Sequence, residues 1–221
     1  MDVGMMKVVV VYSGGLDSTV LLHHALQQYD DVEALTFNYG SKHNIKEINM
    51  AMWNTQKLQI SHRIVRLDFI KENFKSDLLQ GQGEIPEGHY AAENMKKTVV
   101  PLRNGIMLMI ASGYAESIGA EKVLIASHAG DHFIYPDCRP EFNRALNLAI
   151  EYGTNNKVSI AAPFNKMMKW DIVKRGEELG VDWSKTWSCY KGEGIHCGKC
   201  GTCNERIEAF QKAGVDDPLM K

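Results

Sequence analysis

A chain of 221 residues, 44% hydrophobic and 24% charged, can bury one substantial core, and its composition is neither disordered nor fibrous. Its 25 Lys and Arg nearly balance 27 Asp and Glu, for a formal charge of -2, so no overall basic field favours a nucleic-acid backbone or an anionic membrane. No stretch reaches the roughly 18 uninterrupted apolar residues of a bilayer span. The apolar opening runs into Ser-Gly-Gly and not a small-residue cleavage site, so a cytoplasmic protein acting on a small molecule is expected.

Residues 7–12 read as a strand buried on both faces, followed over 17–29 by a helix striped by Leu21, Leu22, Ala25, Leu26 and Tyr29. Residues 32–38 form a second strand, 43–58 a second helix and 62–67 a third strand. Over 68–100 the periodicity lapses among Gly81, Gly83, Pro86 and Gly88, which marks a candidate mobile loop or lid. Residues 104–118 predict a helix apolar almost all round, 122–127 a strand, and 139–152 a helix striped by Phe142, Ala145, Leu146, Ala149 and Ile150. A short strand over 158–160, a helix over 169–179 and a cysteine-rich loop running into a last helix near Phe210 complete the chain. This alternation predicts an α/β fold, a parallel sheet with helices on both faces. Residues 1–185 are expected to form the main domain, and 186–221 a C-terminal metal-binding segment packed on it.

Between the first strand and first helix stands Ser13-Gly14-Gly15-Leu16-Asp17-Ser18-Thr19, preceded by Tyr12. Glycines there let backbone amides approach an anion, and the helix N-terminus adds its positive end. Asp17 can hold magnesium or cap the helix, while the hydroxyls of Ser13, Ser18 and Thr19 can donate to phosphate oxygens. The string is neither a Walker A loop nor a dinucleotide fingerprint; it resembles the PP-loop of ATP pyrophosphatases, which implies transfer of AMP with release of pyrophosphate. Phe37, Asn38 and Tyr39 end the second strand at the carboxyl edge of the sheet, where such folds bind ligands.

Five cysteines are present, and four of them, Cys189, Cys197, Cys200 and Cys203, crowd into fifteen positions. Four thiolates fill a tetrahedral zinc and leave no open position, so the metal is structural; an iron–sulfur cluster uses the same ligand set. His196 reads as a neighbour of the ligands, and Cys138 stands alone. Arg103 and Asn104 sit where the apolar helix meets the strand ends. Asp131, Tyr135, Asp137, Arg139 and Glu141 follow the fourth strand at the same edge, with capping of the next helix as the plainer role for Asp137 and Glu141.

Five blocks in order, SGGLDST, FNYGSKH, VPLRNGI, YPDCRPEF and SCY followed by CGKCGTC, resemble the 7-cyano-7-deazaguanine synthase (QueC) family over nearly the whole chain. The resemblance implies a Rossmann-like, adenine nucleotide alpha hydrolase-like domain with magnesium, ATP, one structural zinc and a homodimer. It also implies the reaction: 7-carboxy-7-deazaguanine and ammonia become the nitrile through adenylated carboxylate and amide intermediates. Residues 12–22 would bind ATP, Asp17, Arg103 and Lys169 would serve catalysis, and Arg103, Asn104, Asp131, Tyr135, Asp137, Arg139 and Glu141 would hold the base. The family often has glycine where this chain has Leu102. Other readings are a relative that passes the adenylated acid to a different amine such as one on a protein partner, another PP-loop ligase or tRNA-modifying enzyme, and a non-catalytic nucleotide- and zinc-binding module.

Overall fold

The computed structural model describes residues 6–220. Five parallel strands, β1 (Lys7–Val11), β2 (Asp31–Asn38), β3 (Ser61–Arg66), β4 (Lys122–Leu124) and β5 (Ser159–Ala161), lie in the order β3-β2-β1-β4-β5. Seven α-helices accompany them: α1 (Leu16–Gln28), α2 (Asn44–Leu58), α3 (Asp68–Asn73), α4 (Arg103–Ser117), α5 (Pro140–Gly153), α6 (Lys169–Glu178) and α7 (Gly201–Ala213). β1 explains its own valine run: Val8 and Val10 face a core built with α1, α6 and α7, while Val9 faces the opposite core, built largely from α4. Alternate side chains of one strand thus go to two apolar layers, and no position is left for a polar residue.

The chain winds outward from β1 to β2 and β3, then returns to the other side of β1 for β4 and β5. That reversal opens a crevice beyond the carboxyl ends of β1 and β4, the place where doubly wound sheets take ligands. β4 is shorter than the periodicity predicts: Ile125 still donates to the Ala161 carbonyl at 3.0 Å, but residues 125–127 then leave the sheet and become a wall of the crevice.

Residues 68–100 are not the bare loop their composition suggests. They hold α3 and a 3-10 turn over Glu93–Thr98, and bury Ile70, Leu78, Leu79 and Met95. The Lys42 ammonium ties this strap down by donating to the carbonyl of Asp77 at 2.6 Å. At the other end of the chain, α7 stops at Gly214, whose φ of 72° supplies the left-handed turn that closes a helix. The fully buried Arg206 of α7 pairs with Asp217 at 2.6 Å and donates to Thr186 at 2.9 Å, locking the C-terminal segment onto the domain. No helix among the described residues is long and apolar enough to cross a membrane.

Candidate active site

The glycine loop is held in shape by its own hydroxyls. Gly15 donates its amide to Ser13 Oγ at 3.0 Å, Ser13 donates its amide to Ser18 Oγ at 3.2 Å, and Thr19 Oγ1 donates to the Gly15 carbonyl at 2.7 Å. Thr19 is fully buried, so its hydroxyl shapes the loop and does not reach the crevice. Gly14, at φ 90°, runs so close to α2 that a Cβ would strike the Glu47 carbonyl, and it too faces away from the opening. The N-cap, Gly15, brings no side-chain acceptor to the first turn of α1. Those amides, with the positive end of the helix behind them, form an anion cradle open to the crevice.

Across the cradle lies a dense charge cluster. Lys169, at the start of α6, places its Nζ 3.2 Å from Asp17 Oδ2 and 2.5 Å from Glu205 Oε2. Burial opposes the Lys169 charge, but Asp17, Glu205 and Asp131 outweigh it and hold the ammonium well above its usual value. Asp131 accepts from the Tyr90 hydroxyl at 2.8 Å and from the His128 amide at 3.1 Å. Burial pushes its carboxyl up, yet His128 and Lys169 win and leave it below the ordinary range. Glu205, two residues past a cysteine of the metal loop, is raised by burial despite Lys169. His128 Nε2 stands 3.5 to 4.0 Å from Asp131, Glu205 and Asp17, and neither it nor Asp17 Oδ1, both buried atoms, has a hydrogen-bond partner among the described residues. An orphaned oxygen on one of two acids that share a single ammonium, with Asp131 close by, fits a divalent cation.

On the opposite wall, the half-buried Arg103 guanidinium donates to Tyr39 OH at 3.2 Å and to Asn104 Oδ1 at 3.1 Å, and lies over the Tyr39 ring at 5.5 Å. Asn104 donates its amide to Asp137 Oδ2 at 2.8 Å and its Nδ2 to Cys138 Sγ at 3.1 Å. Asp137 therefore caps α4, and not α5 as its place in the sequence suggests. Burial pushes the Cys138 thiol far up, so it stays protonated and is no nucleophile. Tyr135 OH bridges Thr98 and Tyr190, each at 3.0 Å.

The structure thus gathers Tyr12, Ser13, Gly15, Leu16, Asp17, Ser18, Phe37, Tyr39, Arg103, Asn104, Asp131, Tyr135 and Lys169 around one crevice. It does not bring Asn38, Asp137, Arg139 or Glu141 there. Asn38 turns its side-chain oxygen to the Gly40 amide, while Arg139 and Glu141 are exposed where α5 begins, Arg139 donating to the His132 carbonyl at 3.0 Å. Sequence reasoning missed Tyr90, His128, Glu205 and Tyr190, and also the pair His43 and Glu47, whose Nε2 and Oε2 stand 3.4 Å apart. Their spacing of four on a helix, inside the FNYGSKH block and its continuation, was the available signal. Burial, opposed by Arg103, pushes the Glu47 carboxyl up to about 8.

The four cysteines form a site able to hold a metal ion, their sulfurs lying within 4.8 Å of one another. Cys197 and Cys203 Sγ are 3.9 Å apart. A tetrahedral ion with bonds of ~2.3 Å asks for edges of about 3.8 Å, far longer than a disulfide. The amides of Lys199 and Cys200 point at Cys197 Sγ from 3.5 and 3.4 Å, which suits a thiolate. His196 is no ligand: its Nε2 accepts from the Ser188 amide at 3.1 Å, its ring lies on Trp187 at 4.4 Å, and burial lowers its pKa to about 4.

An open parallel sheet with an uncapped glycine loop at its switch point, faced by an acid and a lysine, defines the PP-loop class of α/β nucleotide-binding proteins. Solved structures share that fold. NMN synthetase from Francisella tularensis superposes with a TM-score of 0.55 at 14% identity, over 96% of this chain and 79% of that one. A predicted subunit of tRNA methyltransferase from Methanocaldococcus jannaschii reaches 0.52 at 13% identity, over 96% and 91%. Within that class the match is close: residues 7–214 fit the family described as queuosine biosynthesis protein QueC. A 7-cyano-7-deazaguanine synthase of Desulfotalea psychrophila is 53% identical over 94% of both chains, and one of Porphyromonas gingivalis is 51% identical over 95% of this chain and 94% of its own. The chain belongs to the QueC family.

Proposed function

We propose that the chain is an ATP-dependent carbon–nitrogen ligase that converts 7-carboxy-7-deazaguanine and ammonia into 7-cyano-7-deazaguanine, the product for which its relatives are named. The observation that carries this reading is the uncapped glycine cradle facing Asp17 and Lys169 on one side and the half-buried Arg103 on the other. A carboxylate is a poor electrophile because its charge repels nucleophiles and oxide leaves badly. Moving AMP onto it cures both faults, and the cradle amides with Lys169 neutralise the pyrophosphate that departs. Arg103, already fixed by Tyr39 and Asn104, offers the fork for the acid group, and Asp131 accepts donors of the guanine-like ring. A second adenylation, of the amide oxygen, lets AMP leave as the nitrile forms.

Magnesium is assigned to the orphaned oxygen of Asp17, where it would screen the phosphates, and structural zinc to Cys189, Cys197, Cys200 and Cys203. Residues 1–185 are read as the ATP-binding domain and 186–221 as the metal segment, which sends Glu205 and Thr202 back to the crevice. The homodimer, the cytoplasmic location and the lack of a nucleic-acid substrate belong to the same proposal. The relatives do not favour transfer to another amine, a different PP-loop ligase or an idle binding module. Incubation with the acid, ATP, magnesium and ammonium, followed by mass spectrometry, tests the reading. The nitrile is expected; amide alone, a conjugate or unchanged acid would each refute it in a distinct way.

A further inference from the structure

Resting on the proposed reaction, we propose that Glu47 is the carboxylate that receives ammonium in the crevice and takes a proton from it, so that ammonia attacks the adenylated acid. Glu47 stands in the first turn of α2, and its side chain, 14% exposed, lines the crevice. Its Oε1 lies beside the phosphate cradle, where a Cβ on Gly15 would sit 3.2 Å from it. This acid is the odd one in the crevice. Asp17 and Glu205 share Lys169, and Asp131 is held by Tyr90 and the His128 amide. Among the described residues, Glu47 has only His43 within ion-pair distance, and burial lowers the His43 pKa to about 3, so that ring is neutral. Arg103 acts on Glu47 from further off, its donors engaged by Tyr39 and Asn104, while the Ser13 hydroxyl favours the Glu47 carboxylate and the Asp17 charge opposes it.

A largely buried carboxyl group without a fixed cation, lining the crevice beside the phosphate cradle, suits a small mobile cation with N–H donors, whose arrival favours its ionised form. Outside proteins, an ammonium ion would not give its proton to a carboxylic acid anion. In the crevice, burial disfavours both charges, and neutral ammonia beside a neutral carboxyl becomes accessible. One N–H bond of ammonium breaks and its proton goes to Glu47. The freed lone pair forms the C–N bond, the C–O bond to AMP breaks with its electron pair on the phosphate oxygen, and the surplus N–H proton of the adduct leaves with that phosphate. Carbon, nitrogen and charge balance without a further reagent.

The test compares two nucleophiles. Hydroxylamine is already neutral near neutral pH and needs no base to attack, giving a hydroxamate. For the parent enzyme and Glu47→Gln, amide and nitrile formation from ammonium and hydroxamate formation from hydroxylamine are each divided by the rate of ATP–pyrophosphate exchange with the acid. The ammonium ratio is expected to fall about 100-fold in the variant, the scale of general base catalysis, while the hydroxylamine ratio changes little. Equal loss of both ratios, or no loss of either, overturns the proposal. Should the Gln chain fail to exchange, Glu47→Asp replaces it, with an ammonium ratio expected between the two; an Asp variant that also abolishes exchange makes Glu47 a structural residue and overturns the proposal as well. A parent enzyme without exchange would instead remove the proposed function.

Discussion

The two ends of the crevice hold similar acids in opposite circumstances. At the α6 and α7 end, three carboxylates crowd one ammonium, and Asp131 is kept below its ordinary range. At the α2 end, Glu47 faces a neutral imidazole and is pushed up to about 8. Burial is common to both, so the charge state is decided by what stands opposite. The crowded end has the fixed charges needed to position phosphates and a cation, and the sparse end keeps a group free to exchange a proton.

Removing the metal should have the largest effect on this contrast, because the cysteine loop feeds directly into α7 and hence into Glu205. Cys200→Ser, or strong chelation, is expected to abolish turnover and to lower the melting temperature, read by calorimetry alongside metal content. A chain that loses its metal yet keeps both activity and melting point would separate the loop from the crowded end. Next comes Lys169→Met, which leaves Asp17 and Glu205 without their cation. A fall of about 1000-fold in kcat is expected, visible already in pyrophosphate exchange; a loss confined to the ammonia-dependent step would assign the lysine to the wrong end.

Two smaller predictions concern Leu102, at the N-cap of α4, and Glu47. Leu102 sits at φ 52°, a left-handed conformation that costs a branched side chain energy, and it is 57% exposed, so little packing is lost with it. Leu102→Gly should therefore stabilise by about 1 kcal/mol, raising the melting temperature by roughly 2–4 °C. A lower melting point would show that Leu102 packing outweighs the strain. Glu47 also couples stability to pH. Its folded value is raised, from 4.5 to about 8, so the stability it contributes is complete below 4.5 and is lost as pH rises through about 8. Glu47→Gln removes that dependence, and its melting temperature relative to the parent should climb between about pH 4.5 and about pH 8 and level off above. A difference that stays constant with pH would place Glu47 in water.

Much of the crowded end was legible in the sequence because its parts are consecutive. The SGGLDS loop sits between a valine strand and a helix, and the cysteines are spaced as metal ligands. The alternation of strand and helix likewise fixed the sheet, with only β4 shortened. Glu47 and Glu205 were not legible, since each lies on a helix whose pattern reads as a wetted face. Their roles depend on α2 folding over the glycine loop and on α7 packing beside α6, long-range contacts that no local spacing records. Arg139 and Glu141 fail for the opposite reason. Proximity in sequence to Asp137 and Cys138 suggested a common pocket, but α5 starts between them and carries both into solvent.

The central claim is that the crevice hands AMP to an oxygen of the bound acid. Acid carrying heavy oxygen at both carboxylate positions tests it directly, with mass spectrometry of the AMP released in ordinary water. Two molecules of AMP should form for each nitrile, each with one heavy oxygen in its phosphate; AMP without label would mean that water, and not the acid, had received the phosphorus, and the account would fall.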